Sequence, residues 1–153
     1  MKCYLGVFLA TVLLANITKA DDTKDQAIQK DRKRIEGTWQ IVAVEINGNK
    51  AKEEDVRKLS VVNGSDGTWS LLSEGKEISK GTSTIDPTKT PKTIDFTPTE
   101  GGGKDNQYIG IYELGKERRK LCFAPREKGR PTEFATSADS EQILVMFERV
   151  KAD

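Results

Sequence analysis

The clearest secondary-structure signal in the chain lies at residues 38–46, Thr38-Trp39-Gln40-Ile41-Val42-Ala43-Val44-Glu45-Ile46. β-Branched and aromatic residues dominate this run, and such residues fit the pleated, half-buried surface of a sheet. Asn47-Gly48 follows directly and is a preferred sequence for a tight hairpin turn. The run therefore predicts a β-strand that ends in a turn.

Further runs of the same kind follow at short intervals, divided by turn-forming residues. They cover residues 59–62, 68–72, 77–85, 93–96, 108–114, 120–124 and 143–149. Helical patterns are confined to a short lead-in that ends near Ile35 and to a turn near 52–58. Because strands and helices do not alternate, we expect an antiparallel sheet. The prediction is an all-β fold, an eight-stranded antiparallel up-and-down barrel with a short N-terminal helix and one short helix near 52–58.

The apolar content fits a barrel better than a helix-covered sheet. Fourteen of the 54 apolar residues fall within the first twenty positions, which leaves 40 for the remaining 133. That fraction is low for a globular domain. A small barrel needs only one apolar face per strand, whereas a sheet covered by helices needs two. One domain is the most that this length and composition support.

Composition also excludes several kinds of chemistry. The chain has no histidine, so histidine-based triads, general bases and metal sites are excluded. Cys3 and Cys122 are too few for a four-cysteine zinc site, and 25 basic against 24 acidic residues gives no indication of nucleic-acid binding. The carboxylates fall near strand ends and in loops, with nothing to place two at a working separation. We therefore expect a protein that is not an enzyme, with no catalytic residue, no cofactor and no metal.

The first thirty residues are expected to lie outside the barrel domain. Residues 1–20 combine a basic start, an apolar middle and the small residues Thr18 and Ala20 at their end, which is typical of a secretory signal peptide. An uncleaved anchor is the alternative. Residues 21–30 are polar and are predicted to be a linker or the frayed start of a short helix, and the barrel domain is predicted at 31–150. Export would place the protein in the periplasm or outside the cell, with no stable membrane insertion after cleavage.

Two sets of motifs carry a family resemblance. Gly37-Thr38-Trp39 resembles the Gly-x-Trp motif of lipocalins and related calycin barrels. In that family the tryptophan closes the barrel floor and an arginine of the last strand packs across it. Arg149 is at the matching position here. The resemblance thus implies that Gly37, Trp39 and Arg149 have a structural role in barrel closure.

Across residues 31–150 the chain also resembles the small lipocalin-like domain family found in planctomycete-type bacteria. The resemblance implies a lipocalin-like barrel and export, and it supplies no reaction. It rests on four motifs, which are Asp86-Pro87-Thr88-Lys89-Thr90-Pro91-Lys92-Thr93-Ile94-Asp95-Phe96, Gly110-Ile111-Tyr112-Glu113-Leu114, Leu121-Cys122-Phe123-Ala124-Pro125 and Arg130-Pro131-Thr132-Glu133-Phe134.

The leading functional hypothesis is a non-catalytic barrel that binds a small, mostly apolar ligand. The candidate lining residues are aromatic, namely Trp69, Tyr112, Phe123, Phe134 and Phe147.

The alternative is a barrel filled by its own side chains, which acts as an interaction domain of the cell envelope or extracellular space through residues 86–106 and 125–140, with an unknown protein partner. The small residues Ala43, Gly110 and Ala124 indicate interior space, whereas the tryptophans and phenylalanines could fill it. An interior cavity of about 300 Å³ or more would favour ligand binding. Which face of the 108–114 strand points inward is left open by its sequence.

Overall fold

A computed structural model describes residues 15–151, with only the backbone described for residues 15–20. The expected signal peptide therefore lies largely outside the described residues. The elements in chain order are α1 (Ala15–Ile35), β1 (Gly37–Ile46), β2 (Asn49–Lys50), α2 (Glu53–Val56), β3 (Leu59–Asn63), β4 (Thr68–Ser73), β5 (Lys76–Asp86), β6 (Lys92–Gly101), β7 (Tyr108–Leu114), β8 (Arg118–Pro125), a 3₁₀ turn (Arg126–Lys128) and β9 (Ile143–Arg149).

Strands β1 and β3 to β9 form one closed antiparallel barrel. Each strand pairs with the next along the chain, and β9 pairs back onto β1 with Trp39 opposite Arg149 and Ile46 opposite Ile143. The two-residue strand β2 adds only to the end of β1 and takes no part in closure. The predicted all-β, eight-stranded, up-and-down barrel is thus confirmed, and each of the predicted strand regions lies within an observed strand.

Helix α1 is longer than the short lead-in that we expected. Residues 21–30, for which the sequence allowed a linker or the start of a short helix, belong to this helix. Ile28, Asp31, Arg32 and Ile35 follow the spacing that places side chains on one face of a helix. Two of these four are charged, so the stripe that faces the barrel does not look apolar in the sequence.

The helix closes one end of the barrel, which we call the floor. Its isoleucines pack against Ile85 and Tyr112 of the barrel. Asp31 is only 3% exposed and accepts hydrogen bonds of 2.8 Å from the Tyr112 hydroxyl and of 2.8 Å from Lys92 Nζ. Arg32 donates to the hydroxyl and the carbonyl of Ser83 at 2.9 and 2.6 Å. These bonds fix α1 across the end where β1 begins and β9 ends.

The register that the sequence left open is now defined. On β7, Tyr108 and Tyr112 line the barrel interior, whereas Ile111 packs on the outer face. On β8, Arg119, Leu121 and Phe123 line the interior. Successive residues alternate between the two faces of a strand, so Cys122 lies on the outer face of β8.

The segment between β8 and β9, residues 126–142, covers that outer face, and we call it the strap. Its Phe134 packs against Ile111, Cys122 and Leu144. The Cys122 thiol donates a hydrogen bond of 3.5 Å to the Ala135 carbonyl of the strap. Burial beneath the strap raises the pKa of the Cys122 thiol.

The strap is also tied to the turn after β1. The Gly48 amide donates to Thr136 Oγ1 at 2.9 Å, and the Glu141 amide donates to Asn47 Oδ1 at 2.6 Å. Both bonds cross the seam where β1 and β9 meet, so the strap braces the closure from outside.

Candidate binding cavity

A cavity of about 410 Å³ lies inside the barrel. Arg32 and Ile35 of α1 line it at the floor, and Ile78 and Gly102 line it at the opposite end. Ile78 is 46% exposed and Gly102 is exposed, so the cavity meets solvent near the β6–β7 turn. We call this end the mouth.

Four aromatic side chains form a continuous part of the cavity wall. Phe96 is at their centre, with ring centroids 4.8 Å from Phe123, 5.1 Å from Tyr108 and 5.9 Å from Trp69. Stacked and edge-on contacts at these distances stabilise each pair by about 0.5–1.5 kcal/mol beyond area burial. The rest of the wall is mainly aliphatic and includes Ile41, Val61, Leu71, Ile94, Leu121, Ile143 and Val145.

The structure brings four of the five expected lining residues into this cavity. Trp69, Tyr112, Phe123 and Phe147 all line it. Phe134 does not, because it belongs to the strap and packs on the outer face of the barrel. Phe134 therefore covers the outer face and does not line the cavity.

The small residues that were expected to mark interior space have other roles. A Cβ at Gly110 would lie 2.4 Å from the Cys122 carbonyl oxygen and 2.7 Å from Phe123 Cβ, so this glycine admits the neighbouring strand. Ala43 is exposed, and Ala124 does not line the cavity. The interior space therefore does not come from these three positions.

The floor beneath the cavity contains the contact that the lipocalin resemblance implies. Trp39 is fully buried and donates from Nε1 to the Ile35 carbonyl at 2.7 Å. The Arg149 guanidinium lies 4.3 Å from the Trp39 ring and donates to the carbonyls of Glu36, at 3.0 Å, and of Arg34. Gly37 has φ +110°, a conformation that favours glycine. Each of these polar groups is satisfied by protein.

A second arginine, Arg119, lies in the cavity wall and was not predicted. It is 8% exposed, and its guanidinium carbon lies 4.2 Å from the Phe147 ring and 5.1 Å from the Trp39 ring. Within residues 15–151 its side chain has no hydrogen bond and no carboxylate within 4.0 Å, and its Nε is buried without an acceptor.

Burial lowers the pKa of Arg119 from 12.5 to about 9, and repulsion from Arg149 adds to the effect. The group therefore carries its charge at neutral pH. Each ring contact contributes about 0.5–2 kcal/mol, whereas removing an ion from water costs several kcal/mol. The rings alone do not offset the burial of this charge.

The cavity is rich in hydrogen-bond donors. Among the described lining residues the charged ones are Arg32 and Arg119, and none is a carboxylate. In the described part of the chain three buried side-chain nitrogens lack an acceptor, namely Asn63 Nδ2, Trp69 Nε1 and Arg119 Nε, and all three residues line the cavity. Each lies within two residues of the floor end of its strand. Buried donors without partners are uncommon, so their grouping in one place needs an explanation.

Residues 15–151 contain no group of three or more cysteine and carboxylate side chains that could hold a metal ion. They also contain no helix with the length and apolarity needed to cross a bilayer.

Comparison of the chain with protein-family models, with curated proteins and with solved structures found no match.

Proposed function

We propose that this protein binds a small, mostly apolar molecule inside its barrel. The observation that carries the proposal is the cavity of about 410 Å³, which reaches solvent at the mouth and is lined mainly by apolar side chains. Ligand sites in proteins typically have volumes of about 300–1,000 Å³ and apolar walls with few polar groups. A barrel filled by its own side chains would leave no such space, so the cavity favours binding over the interaction-domain alternative.

The residues of the wall support binding rather than catalysis. The described lining contains no carboxylate, and one of its two tyrosines, Tyr112, already donates its hydroxyl to Asp31. Burial and that hydrogen bond raise the pKa of Tyr112, which keeps it protonated. The wall thus offers apolar surface and donors, and no acid–base pair.

Two adjacent valines of β3 provide a matched test. Val61 lines the cavity, whereas Val62 is 38% exposed on the outer face. We expect the neutral fluorophore N-phenylnaphthylamine to bind the wild-type chain with a blue-shifted emission. Val61→Phe should weaken its binding at least about tenfold because the new ring occupies cavity volume. Val62→Phe should leave binding unchanged. No binding to the folded wild-type chain, or equal losses in both variants, would overturn the proposal.

We also propose that the protein is exported, on the composition of residues 1–20. Cleavage after Ala20 would retain Ile28, Asp31 and Ile35 and thus the described contacts of the floor. N-terminal sequencing of the protein recovered outside the cytoplasm tests this proposal. A terminus at Asp21 supports it, and an intact Met1 contradicts it.

A further inference from the structure

We propose that the ligand is an amphipathic anion of the long-chain carboxylate class, whose carboxylate pairs with Arg119 while its tail lies along the apolar wall. This inference rests on the proposed function, because it concerns the same cavity. It adds what the apolar lining alone does not indicate, namely the charge and the orientation of the ligand.

The first support is the geometry around Arg119. Phe147 and Trp39 contact the guanidinium through their rings and so provide no hydrogen-bond acceptor in its plane. Nε is shielded, so Nη1 and Nη2, which also lack partners, are the nitrogens left for a ligand. A carboxylate presents two oxygens in one plane and pairs with two N–H groups of an arginine at once. The ring contacts thus hold the guanidinium in place for such a partner.

The second support is that every other nearby cation already has partners. Arg149 donates to two carbonyls of the floor, and Arg32 donates to Ser83. Arg119 is therefore the cation in the described lining whose guanidinium has no hydrogen-bond partner, whereas that of Arg32 has two. Burial lowers its pKa, and a bound carboxylate would reverse this effect because an opposite charge favours the protonated form. A neutral head group would leave the charge unpaired, and a cationic one would be repelled.

The third support is the distribution of polarity along the cavity. Arg119 and the unpaired donors of Asn63 and Trp69 lie toward the floor. The aliphatic and aromatic wall extends from there to Ile78 and Pro98 near the mouth. An anion bound at Arg119 would therefore have its tail directed toward the mouth. This arrangement predicts that the head enters first and that affinity rises with tail length until the tail reaches solvent.

The experiment compares head groups on one tail, using the full chain. Dodecanoate, dodecanol and dodecyltrimethylammonium, each below its micellar concentration, compete with bound N-phenylnaphthylamine, and acetate serves as a head group without a tail. We expect dodecanoate to bind about ten- to a hundredfold more tightly than dodecanol, which is the range for a charge-assisted pair. The cationic amphiphile should bind more weakly than dodecanol, and acetate should not compete. Equal affinities for dodecanoate and dodecanol would overturn the inference.

Two neighbouring arginines of β8 supply the variant and its control. Arg119→Met removes the charge but keeps an unbranched side chain, whereas Arg118→Met changes an exposed arginine on the outer face of the same strand. We expect Arg119→Met to abolish the preference for dodecanoate and to leave dodecanol binding unchanged or stronger. Arg118→Met should retain the wild-type preference. Retention of the preference in folded Arg119→Met would overturn the inference.

The outcomes separate this inference from the proposed function. Binding of the fluorophore and of dodecanol without a preference for dodecanoate would contradict the inference and leave the proposed function intact. Failure of the fluorophore and of all the amphiphiles to bind would contradict both. Should Arg119→Met not fold, the comparison of head groups on the wild-type chain decides the inference without it.

Discussion

The floor and the cavity wall each place an arginine against the same indole ring. Arg149 lies 4.3 Å from the Trp39 ring and donates to carbonyls of the chain segment that leads into β1. The Arg119 guanidinium lies 5.1 Å from the ring, has no hydrogen bond within the described chain and lines the cavity. The two residues share a residue type and an aromatic neighbour but differ in their partners.

This difference separates a charge that is paired within the fold from a charge that is not. A guanidinium whose donors are satisfied by backbone carbonyls stabilises the fold, and its removal leaves those carbonyls without a donor. A buried guanidinium without acceptors destabilises the fold until something pairs with it. The number of satisfied donors therefore indicates the role of each arginine better than its burial does.

The largest effect is expected when the shared ring is removed. Trp39→Ala should lower the free energy of unfolding by about 3–5 kcal/mol, because it leaves a cavity at the floor and removes the hydrogen bond to the Ile35 carbonyl. Urea unfolding followed by far-UV circular dichroism measures this loss. A loss below about 1 kcal/mol would show that the floor does not depend on the ring that both arginines contact.

Removal of the structural arginine should have a smaller effect of the same sign. Arg149→Met should lower the free energy of unfolding by about 2 kcal/mol, since charged donors to carbonyls contribute about 1.5–3 kcal/mol and this residue is half-buried. The same urea titration provides the measurement. An unchanged free energy of unfolding would contradict the structural role of Arg149 and remove its difference from Arg119.

Removal of the unpaired arginine should have the opposite sign. Without ligand, Arg119→Met should raise the free energy of unfolding by about 1 kcal/mol, because replacing buried charge by apolar side chains of similar size is neutral or stabilising. The folded-state pKa of this cation is lowered to about 9, so its penalty is fully present at neutral pH and declines only as the pH rises above that value. The gain should therefore be constant across the neutral range. A loss of 2 kcal/mol or more would indicate a structural role for Arg119.

The smallest effect is expected for the labelling of Cys122, which lies on the outer face of β8, the strand that carries Arg119. Cys122 is fully buried beneath the strap and burial raises the pKa of its thiol, so a thiol reagent at neutral pH should label the native chain far more slowly than the unfolded chain. Arg119→Met should leave this protection unchanged, whereas Arg149→Met should reduce it because it weakens barrel closure. Mass spectrometry of labelled protein over time measures both. Rapid labelling of the native wild-type chain would contradict the packing of the strap.

Most of the barrel could be predicted because local signals agree with the fold. Turn sequences such as Asn47-Gly48 and runs of β-branched residues define strand positions without knowledge of their neighbours. Helix α1 was underestimated because residues 21–30 are polar and because Asp31 and Arg32 occupy two of the positions that face the barrel. Their burial depends on partners far along the chain, Tyr112, Lys92 and Ser83, which only the closed barrel brings close.

The candidate site was predicted in part for a similar reason. Four aromatic residues of strands were placed in the cavity, but Phe134 lies in a segment without alternation, where nothing in the sequence specifies its side of the barrel. Arg119 was missed because it stands beside Arg118 in a charged stretch. The sequence nevertheless contains a signal for Arg119. Alternate residues of a strand share a face, so position 119 lies on the same inward face as Leu121 and Phe123.

The antiparallel pairing of β1 with β9 has a mechanical consequence. Gly37 begins β1 and Arg149 ends β9 at the same end of the barrel, with Trp39 opposite Arg149 in the register. Tension applied to the chain beyond these two points would pull the strands apart crosswise, and their hydrogen bonds would break in sequence rather than together. Once α1 has been pulled from the floor, the Val150–Thr38 hydrogen bond and the Trp39–Arg149 contact would be the first contacts between β1 and β9 to break, so the closure would open from the floor toward the mouth.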